Sequence, residues 1–217
     1  MIRQLSWVDL YFLALAMRWT ILLTLIALAG GSAIGLFLAA CGTSGHRLAR
    51  LFARSYVAVV QGIPPLAWLF FFYFGFPAMF RIDTPPLLAA GVGFSVYAGG
   101  FLGELWRGAL ASIPRTQWEA GLAIGLTYVE QLRYVIIPQA VRIATPPTVG
   151  FIVQLIKNTS LAAVIGFVEL TREGQLTTSV TFKPLAVYLI VAGLYFLMCY
   201  PLTRFSRALE GRLRVAR

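Results

Sequence analysis

Charged residues punctuate this chain at intervals that leave long uncharged stretches between them. Residues 19–45, between Arg18 and His46, carry no charge, and neither do 55–80, 84–103 and 184–203. Each is long enough for the helix of about 20 residues that crosses a bilayer. A fifth run, Ile143–Ile156, has 14 residues. As a helix it covers about 21 Å against about 30 Å of hydrocarbon. It crosses if Arg142 snorkels at one end, or if Lys157 sits at membrane depth. The next charge-free run, Asn158–Val168, is too short to span and reads as a segment that dips in and returns. The pattern predicts an all-α integral membrane protein with one transmembrane domain over 1–217. Its five transmembrane helices are expected at about 19–41, 56–76, 85–105, 139–157 and 184–203.

Composition supports the membrane reading. Of 217 residues, 59% are hydrophobic and 12% charged, with a mean hydropathy of +0.79, and a soluble core of this length cannot enclose so much apolar surface. The net charge of +10 would point a soluble chain toward nucleic acid, but here it reports topology and no nucleic-acid partner is expected. Twelve of the 18 basic residues fall on one side of the five spans: Arg47, Arg50, Arg54, Arg107, Arg115, Arg133, Arg142 and the five from Arg204 to Arg217. That side is read as cytoplasmic, which puts the N-terminus outside and the C-terminus inside. Asp9 and Arg18 interrupt the N-terminal stretch, so no removable signal peptide is expected. Cys41 and Cys199 lie in apolar stretches and read as small hydrophobes, and the single histidine, His46, as a solvated loop residue. No metal site is expected. The pairs Gly31/Gly35 and Gly99/Gly103 are read as close helix packing.

The stretch of about 112–138, between the third and fourth spans, has the signals of two short helices with a break. Ser112 precedes Pro114, and Thr116 with Glu119 has capping-box spacing. Gly125 can end the first helix in a left-handed conformation, Thr127 with Glu130 can open the next, and Pro138 marks the start of the fourth span. Spacing alone reads equally well as a surface hairpin or as a docking element.

Motifs decide between them. Glu119-Ala120-Gly121, three residues, Gly125, nine residues and Val135-Ile136-Ile137-Pro138 resemble the EAA loop of ABC importer permeases, E-A-A-x3-G-x9-I-x-L-P. Gly62-Ile63-Pro64 resembles the R-G-T-P stretch of the polar amino acid subfamily, and Tyr97 through Glu104-Leu105-Trp106-Arg107-Gly108 resembles its Y-x-A-E-I-x-R-G segment. Pro138-Gln139-Ala140 and Lys157-Asn158-Thr159-Ser160-Leu161 resemble its P-Q-A and K-[DN]-T-S-L motifs. The similarity covers about residues 15–205. Two departures stand out: Gly121 replaces the third-position alanine, and Gln61 stands where the subfamily usually has arginine.

The resemblance, to the histidine/glutamine/glutamate/arginine permease family, implies a non-catalytic, multi-pass permease subunit of a type I ABC importer in the bacterial inner membrane. Its implied partners are a second permease (itself or a paralog), two cytoplasmic ATPase subunits and a periplasmic or lipid-anchored solute-binding protein. The chain has no G-x4-G-K-[ST] phosphate loop, so ATP and Mg are expected on the ATPase and no cofactor on this chain. The ATPase-coupling residues are expected to be Glu119, Ala120, Gly121, Gly125 and Pro138. The substrate pathway is expected where the fourth crossing breaks, at Lys157, Asn158, Thr159 and Ser160, since broken spans free polar groups at membrane depth. Gln61 and Gly62 are the candidates for the opposite wall. Lys157 either snorkels or faces the pathway, and in the second case its charge favours glutamate, glutamine or aspartate.

The alternative of another class is a subunit of an ion-coupled secondary amino acid transporter, which would need an intramembrane carboxylate. Glu104 is the candidate, but Arg107 one turn on points to a local ion pair. The basic Arg204–Arg217 end reads as an anchor to membrane lipid or as an ATPase contact. Trp7, Trp19, Trp68, Trp106 and Trp118 read largely as an interfacial belt.

Overall fold

The computed structural model describes residues 4–215, with side chains to Gly211. Of the charges used for topology, those of Arg3, Arg212, Arg214 and Arg217 therefore lie outside the described side chains. All regular elements among the described residues are helices. The first, α1 (Trp7–Thr43), starts well before the expected span because Ser6 caps it, its amide and hydroxyl each donating to the Asp9 carboxylate at 2.8 Å. Arg18 does not interrupt the helix, because its guanidinium lies over the Trp19 ring at 5.3 Å.

The second span departs from expectation. In place of one straight helix at 56–76 there are two, α2 (Arg47–Gly62) and α3 (Pro65–Phe80), bent by 99°. Pro64 and Pro65 have no N–H to continue the helix, and Ile63, ahead of a proline, is extended (φ −112, ψ 129). The next helix, α4 (Pro86–Ala111), is the centre of the molecule and packs against α1 along a seam of small residues. A Cβ on Gly31 would stand 2.5 Å from that of Ala98, and one on Gly35 would stand 3.0 Å from the amide nitrogen of Gly103. In lipid, where tails are as apolar as side chains, such close backbone approach is what holds helices together.

After the short α5 (Arg115–Ala123) comes α6 (Tyr128–Ile165), which overturns two expectations. The second helix of the 112–138 element and the fourth span are one continuous helix, with Pro138 inside it just beyond a π turn at Leu132–Ile136. Lys157–Ser160 is not a break either. Thr159 keeps helical angles (φ −60, ψ −24), and the chain tightens into a 3-10 helix, Thr159–Ile165, that ends at Gly166 with φ +83. The Thr159 and Ser160 hydroxyls each donate back to their own helix, to the Ile156 and Lys157 carbonyls at 2.7 Å, and hold it through the transition. The expected re-entrant segment is thus the end of α6 plus a turn.

That turn leads into α7 (Leu170–Thr181), a helix with no counterpart in the sequence reading. It is capped by Glu169, a fully buried carboxylate that accepts from the Arg172 amide at 2.9 Å and the Tyr195 hydroxyl at 2.8 Å. Thr20 of α1 accepts from the Leu170 amide at 3.2 Å, so one polar knot ties α1, α7 and the last helix, α8 (Pro184–Val215). The helices α1, α4, α6 and α8 are each long and apolar enough to cross a membrane, and the bent α2–α3 pair makes a fifth crossing if counted as one. Leu25, Phe37, Leu185, Leu189 and Phe196 are exposed on the outside, as suits a surface solvated by lipid.

Candidate functional site

Two separate places on the fold collect the residues singled out by sequence. The first lies where α6 changes from α to 3-10 geometry. Asn158 is buried and its Oδ1 accepts from Gln154 Nε2 at 3.1 Å. Thr159 is fully buried, and its hydroxyl proton and that of Ser160 are committed to the helix itself. Lys157 is exposed, toward the side of α6 on which Val153 and Ile156 pack against Cys199 of α8. The structure thus separates Lys157 from Asn158: one side chain is at the helix surface, the other faces Tyr97 of α4. Tyr97, Phe101 and Phe151 form a ring wall there, with centroids 4.7 to 6.3 Å apart. Neither Gln154 nor Tyr97 was flagged by sequence as a partner of Asn158; Gln154 was legible as its i−4 neighbour.

Gln61 and Gly62 sit at the end of α2, both exposed, just before the bend. They continue a face that includes Arg54, Ser55 and Ala58, all exposed, while the opposite face buries Ala53 and Val60. Tyr56 fixes this orientation by donating to the Val96 carbonyl at 3.1 Å. A polar, small-residue stripe left uncovered on a crossing helix is suited to a water-filled pathway.

The second place is the helix–turn–helix made by α5 and the start of α6. Gly125 has φ +79 with nothing near the position of a Cβ, so conformation and not space demands glycine there. The Thr127–Glu130 capping box is formed, with the Thr127 hydroxyl and amide reaching the Glu130 carboxylate at 2.7 and 2.8 Å. The Thr116–Glu119 box is not formed: α5 starts two residues earlier than that box requires, with Pro114 as its cap. Glu119 and Ala120 are exposed, Gly121 is buried and Pro138 is exposed. Trp118 stacks on Tyr128 at 5.7 Å, and Ile113, Ile136 and Ala140 form a local core beneath. The frame is rigid, yet Leu122, Ile124 and Val129 stand 65 to 76% exposed on it. Outward-facing apolar side chains on an ordered frame mark a surface suited to contact with lipid or a partner.

Glu104, the carboxylate on which ion coupling would depend, is held bidentately by Arg107 at 2.6 and 2.8 Å. No cluster of three or more His, Cys, Asp or Glu converges among the described residues.

The geometry is that of a bundle of apolar crossings around a buried polar position, with a helix–turn–helix at one end. Over residues 31–215 the chain matches the family described as binding-protein-dependent transport system inner membrane component, and it belongs to that family. It is a multi-pass protein of the inner membrane. It is 36% identical to the glutamine transport system permease protein GlnP of Escherichia coli over 212 residues, 96% of each chain. It is 32% identical to the probable amino-acid ABC transporter permease protein YckA of Bacillus subtilis over 222 residues, 98% of each. Among solved structures, an amino acid ABC transporter with histidines superposes with a TM-score of 0.88 at 30% identity, covering 98% of this chain and 99% of that one. The inward-facing MetNI methionine ABC transporter, at a TM-score of 0.67 and 21% identity over 91% and 93% of the two chains, shares the fold. Nothing in these relationships supports the ion-coupled alternative.

Proposed function

We propose that this chain conducts polar L-amino acids inward as the permease subunit of an ATP-driven importer. Glutamine is the favoured substrate, on the similarity to a glutamine permease; the preference for glutamate and aspartate required Lys157 in the pathway and falls with its exposure. The observation that carries the reading is full-length similarity to a glutamine permease and an amino acid ABC transporter together with the rigid, outward-facing apolar element at α5–α6. In this reading the N-terminus is outside and the C-terminus cytoplasmic, supported by the basic residues that gather at the α5–α6 end. The element seats one of two ATPase subunits, which supply ATP and Mg. An external solute-binding protein delivers substrate to a pathway shared by two permease subunits. Glu119, Ala120, Gly121, Gly125 and Pro138 serve coupling; Asn158 and Thr159 meet the substrate, with Gln61 and Gly62 on the opposite wall. The exposure of Lys157 favours the snorkelling role over substrate contact. Thr159 and Ser160, with their protons committed to the helix, offer lone pairs and so act as acceptors.

The test is reconstitution in vesicles with the ATPase and binding protein. Uptake of labelled glutamine should require ATP and survive an ionophore; the reverse would mean ion coupling. Gly125→Val forces a β-branched residue into left-handed backbone, costing about 1–2 kcal/mol. It should leave insertion intact and reduce uptake about tenfold or more; normal uptake at normal expression would remove the coupling role. With Asn158→Ala and Thr159→Ala, binding-protein stimulation of ATP hydrolysis should persist while uptake drops. Wild-type uptake by both variants would mean that this segment does not hold substrate.

A further inference from the structure

A groove opens on the side of the bundle where the end of α1, the end of α4 and the first half of α6 meet. It encloses about 710 Å3, walled by Leu36, Ala40 and Ser44 of α1, Trp106 of α4, and Ile137 and Val149 of α6. From Ile137 to Val149 the helix rises about 18 Å, close to one leaflet's half of the roughly 30 Å of hydrocarbon in a bilayer. The polar side chains along it have their protons committed. Thr43, Ser44, Thr145 and Thr148 donate to carbonyls of their own helices at 2.6 to 2.9 Å, and the Trp106 indole donates to Thr148. Among the lining residues only Tyr128 keeps a donor without an acceptor among the described residues. A ligand with charged ends finds no partners along such walls. A helix of that length, about 10 Å across, would fill about 1,400 Å3, twice what the groove holds. A hydrocarbon chain fits on both counts.

Charge marks one end. Gly42 meets Arg107, and Ile113, just past α4, packs with Ile136 and Ala140, so the ends of α1 and α4 lie beside the start of α6. There Arg50 donates through Nη1 to the Ser44 and Gly45 carbonyls at 2.8 and 3.0 Å, which leaves Nη2 and Nε. Arg142 shares the face of α6 that carries Thr145 and Val149, and helical side chains lean toward the helix N-terminus, here the same end. It is exposed and makes no hydrogen bond or ion pair among the described residues. The acids nearest in sequence to the lining, Glu104 and Glu130, are taken by Arg107 and Thr127. Basic pockets between crossing helices take anionic headgroups. We propose that this groove holds an acyl chain of an anionic phospholipid, its phosphate between Arg50 and Arg142. The lipid then wedges the root of α6 against α1.

The experiment adds phosphatidylglycerol or phosphatidylcholine to the delipidated permease–ATPase complex in detergent and counts retained lipids by native mass spectrometry. Wild type should hold phosphatidylglycerol tenfold or more tighter. Arg142→Gln should shrink that preference about fivefold, the contribution of one arginine near an anionic surface. Arg207→Gln makes the same charge change on α8, which packs on the opposite face of α6 where Ser206 meets the Pro146 carbonyl, and should leave the preference unchanged. Ala40→Trp fills the groove and should weaken both lipids about tenfold at unchanged Tm. No preference in wild type overturns the site, and so do equal losses in Arg142→Gln and Arg207→Gln, which mark diffuse surface charge. Lipid retention unaltered by Ala40→Trp also overturns it. If that variant instead releases one permease from the complex while lipid stays, the groove belongs to a second copy and the proposal falls. Should Ala40→Trp fail to assemble, the two arginine variants decide alone, since both side chains are exposed. Binding is read without uptake, so failure here leaves the transport reading standing.

Discussion

At position 121 the glycine that departs from the usual alanine has a partner that explains it. A Cβ there would stand 2.9 Å from Gln131 Cγ and 3.1 Å from its Cδ. Gln131 is buried and donates to the Leu126 carbonyl at 3.0 Å, closing the turn between α5 and α6. The glycine and the glutamine are one arrangement: the long amide occupies the space an alanine methyl would take, and in return it pins the turn. Gly121→Ala should therefore destabilise the element by about 1–3 kcal/mol, as overpacking does. Adding Gln131→Ala should recover part of that loss, read as Tm and as ATPase retention on purification. Equal Tm for Gly121→Ala and wild type would mean that Gln131 moves aside freely. The pattern of residues announced that 121 was unusual, but the reason lay ten residues away in a side chain with no motif of its own.

Helices, by contrast, were largely announced by charge spacing, and their shapes were not. Uncharged runs announce α1, α4 and α8, and the Gly125 turn and the Thr127–Glu130 capping box form where the spacing predicts them. The run 55–80 hid a 99° bend, because a hydropathy count is blind to the direction that Pro64 and Pro65 impose. No uncharged run announces the amphipathic α7, since Arg172 and Glu173 fall in its first turn, although Glu169 and Thr20 bury its start. Prolines also leave a recurrent mark: π turns at Phe71–Gly75 and Leu132–Ile136 each end two residues before one, Pro77 and Pro138. A proline ring presses on the carbonyl four residues back and offers it no N–H. A widened turn relieves that conflict, with the Ile137 amide reaching back to Leu132 and Gln139 Nε2 meeting the Val135 carbonyl at 2.9 Å. Pro138→Ala should let the helix return to α register, rotating the α5–α6 element by about 100° against the rest of α6. The expected result is normal insertion and ATP hydrolysis with several-fold less substrate moved per ATP; an unchanged ratio would show that the π turn has no part in coupling.

At the scale of the whole molecule the α1–α4 seam is closely packed, with glycines where a Cβ would meet the facing helix within 3.0 Å. Gly31 and Gly35 let α1 approach Ala98 and the Gly103 amide of α4, while Gly99 and Gly103 receive the Ile34 and Leu38 side chains, and Gly31→Val should cost about 1–3 kcal/mol or more, seen as a lower Tm in detergent at unchanged composition. A Tm equal to wild type would mean that the two helices can separate after all. Around this pair runs α6, a single helix from the Gly125 turn to Asn158 and beyond. It is pinned part-way along: Ser206 donates to the Pro146 carbonyl at 2.9 Å, and Trp106 Nε1 to Thr148 Oγ1 at 3.1 Å. Mechanically this is a beam with a fulcrum under its middle. Displacement applied at one end reaches the other reversed in direction and scaled by the ratio of the two arms. In the coupling proposed above, the place where the beam is pinned, and not the force on it, fixes how far a movement of the α5–α6 end carries the end at Asn158.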